Sequence, residues 1–177
     1  MTSAEQLIFR THIDATAEAV WHELTRTDQA HAAGYNMLFV VDELSAGRPF
    51  QMRSPSGRMV NVVGTIVEAE PPRRLEQAMR YTAFDEPFTA RWDIHDANGG
   101  GVDVTLTVSG LAADSKTLRD LNGSGGGTWI LTTLKQVAED GRASLGTRLM
   151  YAVSVLIERF RVPDGTEPER WPWPPDD

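Results

Sequence analysis

The sequence predicts an α+β fold, an antiparallel meander of strands preceded by a short helix and closed by a longer one. Three observations predict it. Residues 35 to 111 break into short runs of alternating apolar and polar residues separated by turn signals, as half-buried strands joined by hairpins do. The segments before and after this stretch switch to apolar spacings of three and four, the helical period. A twisted sheet with one apolar face must also be covered, and a helix laid across it is the available cover.

Leu7, Phe9, Thr11 and Ile13 alternate with Ile8, Arg10 and His12, which makes residues 7 to 13 a strand with one face for the core. "DATAEAVWHELTRT" reads as a helix with Thr16 as N-cap, Glu18 in the first turn and Val20, Trp21 and Leu24 as its apolar stripe. A second short helical piece is expected over Asp28 to Ala33, ended by Gly34. The strands of the meander are "YNMLFVVDEL", "PFQMR", "MVNVVGTIVEAE", "RLEQAMRYT", "FTARWDIHD" and "VDVTLTVSG". "AGR", "SPSGR", Pro71 with Pro72, "FDEP" and "ANGGG" are the turns between them. The last strand sets Val102, Val104, Leu106 and Val108 against Asp103, Thr105 and Thr107, and Phe88, Ala90, Trp92 and Ile94 repeat the pattern one strand earlier. "TWILTTLKQVAED" then places Trp129, Ile130, Thr133, Leu134, Val137 and Ala138 near one side of a helix closed by Gly141.

"SLGTRLMYAVSVLIERF" is a further helix. Its Leu145, Leu149, Ala152, Val153, Leu156 and Phe160 recur at helical spacing, and Met150, Val155 and Ile157 widen the apolar surface. Such a surface needs a cover, either the chain's own domain or a second copy, so a monomer or a homodimer through residues 142 to 162 is expected. From Pro163 the chain is rich in Pro, Glu and Asp and reads as a mobile tail, with Trp171 and Trp173 as local anchors.

Composition narrows the partners. A net charge of -8 and a sequence pI near 5.0 oppose binding to nucleic acid or an anionic membrane, both of which attract basic surfaces. The absence of cysteine excludes disulfides and thiol chemistry and fits a reducing cytoplasm. The N-terminus has no basic start followed by an apolar stretch, and the longest apolar run, "LMYAVSVLI", falls short of the roughly 20 residues a bilayer span needs. A cytoplasmic location is the expectation.

"LNGSGGGTWILTTL" resembles a phosphate cradle at first sight, a glycine cluster opening a helix. A P-loop needs a Lys beside the Ser or Thr at the helix start, and here Thr128 follows Gly127 without one. Gly123, Gly125 and Gly127 alternate, which also breaks the dinucleotide pattern. A flexible hinge before a helix, or a slack surface loop, are the readings that remain.

"ATAEAVWHELT", "GTIVEAEPPRRL", "GGGVDVTLTVSGL" and "TWILTTLKQVAEDG" occur in the order found in the SRPBCC (START, Bet v 1-like) superfamily. The chain most resembles the branch of proteins similar to the Aha-type activator of the heat-shock protein 90 ATPase, over about residues 6 to 141. The resemblance implies a helix-grip fold, a curved antiparallel sheet around a long C-terminal helix with a cavity between them. It divides the chain into a ligand-binding domain over 1 to 141, an added helix over 142 to 162 and a Pro-rich acidic tail over 163 to 177. Two departures, "AHAAGY" in place of an aromatic residue after the first helix pair and Val108 in place of a polar residue, touch the cavity, so ligand identity does not carry over.

Alternation points Phe39, Phe50, Met52, Val62, Ile66, Gln77, Met79, Tyr81, Trp92 and Leu106 inwards, joined by Trp129 and Thr133 from the helix. The expected ligand-binding set is Phe39, Phe50, Met52, Gln77, Met79, Tyr81, Trp92, Trp129 and Thr133. This aromatic and thioether lining suits an apolar organic molecule with few polar handles. Gln77 and Tyr81 are the strongest candidates, because an inward polar tip must find a partner. Trp92 is also expected to be structural. Glu68, on the inward register of its strand, is a candidate buried base, although as a Glu ahead of Pro71 and Pro72 it better fits the mark of a strand end. His12, His22, His31 and His95 show no ligand spacing, so no metal is expected, and no serine sits on a nucleophile elbow. No catalytic residue and no cofactor are assigned. The readings are a binding module for a small hydrophobic molecule, such as a carrier, sensor or sequestration protein for a natural product; an enzyme resembling polyketide aromatase/cyclases; and a co-chaperone. The last ranks third because one domain leaves no separate chaperone-binding domain.

Overall fold

The computed structural model describes residues 5–83, 87–123 and 125–175. Its seven strands are β1 (Glu5–Ile13), β2 (Leu38–Val41), β3 (Pro49–Arg53), β4 (Val60–Glu70), β5 (Arg74–Tyr81), β6 (Pro87–Asp96) and β7 (Val102–Leu111). They form one antiparallel sheet in the order β1-β7-β6-β5-β4-β3-β2, a meander from β2 to β7 with β1 added at the far edge. With the helices packed on one face, this is the α+β helix-grip architecture.

Register sorts the side chains. Phe39, Met52, Val62 and Tyr81 stand in one row across β2 to β5, and Ile66, Gln77, Ala90 and Val108 in another across β4 to β7. Leu75, Trp92, Leu106 and Phe9 make a third. These rows form the inner face, because successive residues of a strand point to opposite sides. Phe50 and Met79 flank Gly64 on the same face, and a Cβ at Gly64 would stand 2.6 Å from the Phe50 ring. The missing side chain lets that ring lie across β4.

Helix α1 (Ala17–Thr25) is capped by Thr16, whose side chain accepts from the Ala19 N–H at 3.2 Å. The expected helical piece over Asp28 to Ala33 is not helical. The backbone there turns through an isolated bridge between His31 and Met37, and the Asn36 N–H donates to the His31 carbonyl at 2.9 Å. Tyr35 and Asn36 both take positive φ, which no helix accommodates.

Following β7, the three-residue helix α2 (Lys116–Leu118) runs into a π-helical turn (Arg119–Gly123) before α3 (Gly126–Asp140). Within the glycine cluster, Gly126 and Gly127 are closely packed. Gly125 has φ 74°, and a Cβ on the buried Gly127 would stand 2.3 Å from the Phe9 ring. The start of α3 therefore lies flush on β1, and α3 packs over β1 and α1 at one side of the sheet. The inner face of β4 to β6 is left with room above it.

Helix α4 (Leu145–Glu158) is held by few contacts. The Tyr151 hydroxyl donates to the Ala32 carbonyl, and its ring meets Trp129 edge-on with centroids 6.2 Å apart. The buried Glu158 carboxylate accepts from the hydroxyls of Ser54, at 2.5 Å, and Ser56. Beyond it, the segment expected to be mobile is docked through Trp171 on the outer face of the sheet. The Val60 N–H donates to the Thr166 carbonyl at 2.8 Å, and the Gln51 amide donates to the carbonyls of Trp171 and Pro172. The Arg80 guanidinium sits 4.9 Å over the Trp171 ring, a cation–π contact, and the Trp171 indole donates to the Gly165 carbonyl at 2.7 Å. Outward-facing polar residues on β3 and β5 thus find partners in the tail.

Candidate functional site

Between the inner face and its cover lies a cavity of about 370 Å³. Its floor is Phe39, Met52, Val62, Gln77, Met79, Tyr81, Phe88, Ala90, Trp92, Leu106 and Val108, contributed by β2 to β7. Its roof is Leu24 and Glu23 from α1, the turn from His31 to Met37, Leu121 from the π-helical turn and Ile130 from α3. The offset of α3 toward β1 explains why this space exists. A helix centred on the sheet would fill it.

Of the residues expected from the sequence, Phe39, Met52, Gln77, Met79, Tyr81 and Trp92 line the cavity. Phe50, Trp129 and Thr133 do not. The Phe50 ring is buried beside Phe39, centroids 5.3 Å apart, in the space Gly64 leaves. Thr133 is buried and Trp129 faces sideways, stacked on Tyr35 at 4.8 Å. The seating of Gly127 on Phe9 sets the roll of α3 so that Ile130, instead of Trp129, meets the cavity. Glu68 is also not inward. A register shift between Ile66 and Glu68 places an extra residue in β4 and pairs Glu68 with the outward Glu76. Its carboxylate lies 3.7 Å from the Arg74 guanidinium instead of in the cavity.

The cavity's polar groups are few and differ in their partners. Gln77 is 7 % exposed, and its amide, without a hydrogen bond among the described residues, opens onto the cavity space. His31 is buried, and its Nε2–H donates to the Arg26 carbonyl at 2.5 Å, leaving Nδ1 as the acceptor nitrogen. Burial pushes the His31 pKa down, the hydrogen bond to Arg26 only partly opposing it, which favours the neutral ring. The Asn61 amide donates to the Met37 sulfur at 3.4 Å. Burial pushes the phenols of Tyr81 and Tyr35 up, with neighbouring groups adding to the effect, so both stay neutral donors at physiological pH. Glu23 at the rim is engaged by Arg26 at 3.1 Å.

His31, Tyr35, Asn61 and the roof residues of α1 escaped the sequence reading. The segment from His31 to Met37 carries no periodicity, and reading it as helix hid its turn. Its one signal was the departure "AHAAGY". No group of His, Asp or Glu that could hold a metal ion occurs among the described residues. No described helix is long and apolar enough to cross a membrane.

The profile of the family described as activator of Hsp90 ATPase homolog 1-like protein matches residues 14–139. Among solved structures, the chain is similar to protein MLL2253 from Mesorhizobium loti, with 17% identity, TM-score 0.60, and coverage of 75% of this chain and 96% of that one. It is similar to the Aha1 dimer from Colwellia psychrerythraea, with 15% identity, TM-score 0.59, and coverage of 78% and 99%. CalU16 from Micromonospora echinospora shares 19% identity at TM-score 0.52, over 78% and 85%. At these identities the likeness is one of fold. No curated protein matches the sequence. The family profile spans most of the chain and ends before α4 begins, and on that ground the chain belongs to the activator of Hsp90 ATPase homolog 1-like family.

Proposed function

We propose that the protein binds a small, largely apolar organic molecule in the cavity between the sheet and its helical cover, as a carrier, sensor or sequestration protein. One observation carries this reading. The Gln77 amide makes no hydrogen bond within the described residues and opens onto a space of ligand size whose floor, Tyr81 apart, is apolar. A ligand with one hydrogen-bonding group set in an apolar or aromatic skeleton satisfies that amide and fills the volume. His31 Nδ1 offers a second contact at the roof. The absence of cysteine fits action in a reducing cytoplasm.

Native mass spectrometry of freshly purified protein, followed by organic extraction, tests the reading. The expected result is a bound small molecule, or quenching of tryptophan fluorescence by polycyclic, polyketide-like compounds and not by ATP or NADH. Gln77→Leu should weaken that binding about 2- to 10-fold, the value of one hydrogen bond of about 0.5–1.5 kcal/mol. Recovery of a chemically changed ligand would turn the reading into an enzyme. The family description favours a second reading, action on the heat-shock protein 90 ATPase. Stimulation of that ATPase by a chain that yields and takes up no ligand would replace the first.

A further inference from the structure

Helix α4 is inside out. Its buried side chains are Thr147, Tyr151 and Glu158, whereas Leu145, Leu149, Met150, Val153, Val155, Leu156, Ile157 and Phe160 are 37 to 85 % exposed. At 100° per residue, those within α4 except Val155 fall, with the exposed Ala152, on one broad arc facing away from Tyr151 and Glu158, and Phe160 follows in the turn just after the helix. Where α4 meets the domain the fit is incomplete, a crevice of about 280 Å³ remaining beside Tyr151, Met150 and Met59.

We propose that this outward face is the interface of a homodimer in which two α4 helices pair antiparallel about a two-fold axis between Ala152 and Val153. The register is self-complementary. An axis at that point sets Ala152 opposite Val153, Leu149 opposite Leu156 and Leu145 opposite Phe160, so each apolar residue of the central stripe meets another. The smallest pair lies at the axis, where the helices approach most closely, and the large Phe160 closes each end. The area is also suitable. The exposed side chains offer on the order of 500 Å² of apolar surface. A standard interface buries about 800 Å² per partner, of which about 65 % is apolar in homodimers, which is a similar amount.

Arg148, Arg159 and Arg161 are exposed on the same segment, the composition of a helix that lies on an anionic lipid surface. A chain carrying a net charge of -8 is repelled by that surface as a whole, whereas the symmetric register has no role there. The second copy is therefore the occupant.

The chain contains no cysteine, so introduced thiols report the geometry cleanly. Oxidation of Ala152→Cys should give a disulfide-linked dimer. Leu145→Cys should not link to itself, since the two copies lie about 22 Å apart along the helix, but should link to Phe160→Cys in a mixed sample. Light scattering should find a full-length dimer and a monomer for Leu149→Glu with Leu156→Glu, with unchanged circular dichroism because both sites are already exposed. A wild-type monomer at every concentration, a dimer that persists in the double variant, or efficient self-linking of Leu145→Cys would each overturn the proposal. So would a monomer that co-sediments with anionic phosphatidylserine vesicles.

Discussion

Helices α3 and α4 are nearly the same length, 15 and 14 residues, and both carry an apolar stripe at helical spacing. They use it in opposite ways. α3 buries Leu131, Leu134 and Val137 against the sheet, while α4 turns Leu145, Leu149 and Leu156 to solvent and attaches through a tyrosine, a threonine and a glutamate. The difference lies in what each helix finds beneath it. α3 lands on the aliphatic inner face, with Gly127 admitting the Phe9 ring; α4 lands on the rim, where Ser54, Ser56 and the Ala32 carbonyl present polar atoms. An amphipathic pattern states that a helix will cover its apolar side, not which surface supplies the cover.

The strongest test of this contrast is Leu134→Ala. Leu134 is fully buried, and its truncation should destabilise the fold by about 2–5 kcal/mol in chemical denaturation. A loss below about 1 kcal/mol would mean α3 is as loosely seated as α4. Glu158→Ala should act locally. It removes hydrogen bonds to a carboxylate worth about 1.5–3 kcal/mol each and leaves the Ser54 and Ser56 hydroxyls, 3.2 Å apart, to bond only to each other and to backbone N–H groups, so hydrogen exchange in α4 should rise while that of β5 and β6 stays protected.

Gly127→Ala sets two effects against each other. Helix propensity favours Ala by about 1 kcal/mol, whereas forcing a methyl onto the Phe9 ring costs about 1–3 kcal/mol. Net destabilisation is expected, and a rise in melting temperature would show that the close seating of α3 is not required.

The turn to which Tyr151 is anchored also holds His31, whose buried ring makes folding stability sensitive to acid. The folded-state pKa of His31 lies below its ordinary value of 6.5 because burial disfavours the cation. The unfolded chain therefore binds the proton first, so this contribution to stability is full above about pH 6.5 and is lost as pH falls toward the folded value. Melting temperature should drop from pH 7 to pH 5, and His31→Gln should flatten that part of the profile. The smallest effect belongs to α4 itself. Leu156→Ser, measured at protein concentrations low enough to keep the chain monomeric, should change unfolding free energy by no more than about 0.5 kcal/mol, because the side chain is already half in water.

The alternation within β2 to β6 was sufficient to place Phe39, Met52, Gln77, Met79, Tyr81 and Trp92 over the cavity, since a strand's two-residue period survives any packing of its neighbours. It failed at Glu68, where one extra residue in β4 reverses the face, and a bulge has no reliable mark in a run of valines and threonines. Trp129 and Thr133 were misplaced for a different reason. The stripe of α3 is broad, and only the contact between Gly127 and Phe9, residues far apart in the chain, decides which part of it looks into the cavity. His31 and Tyr35 were missed because a turn built on positive φ has no period to read.

Apart from the helical piece expected over Asp28 to Ala33 and the short turns of helix before α3, the order of strands and helices, the hairpin pairing, the inner face of the sheet and the apolar stripe of α4 were determined by the sequence itself. They rest on local periodicities, turn residues and caps, each spelled by neighbouring residues. The size of the cavity, the roll of α3, the outward facing of Glu68, the docking of the tail on the outer sheet and the outward turn of α4 were decided by tertiary structure. Each depends on steric or polar contacts between residues distant along the chain, such as Gly127 with Phe9, Trp171 with Arg80 and Glu158 with Ser54, and no local pattern encodes a contact whose partner lies elsewhere.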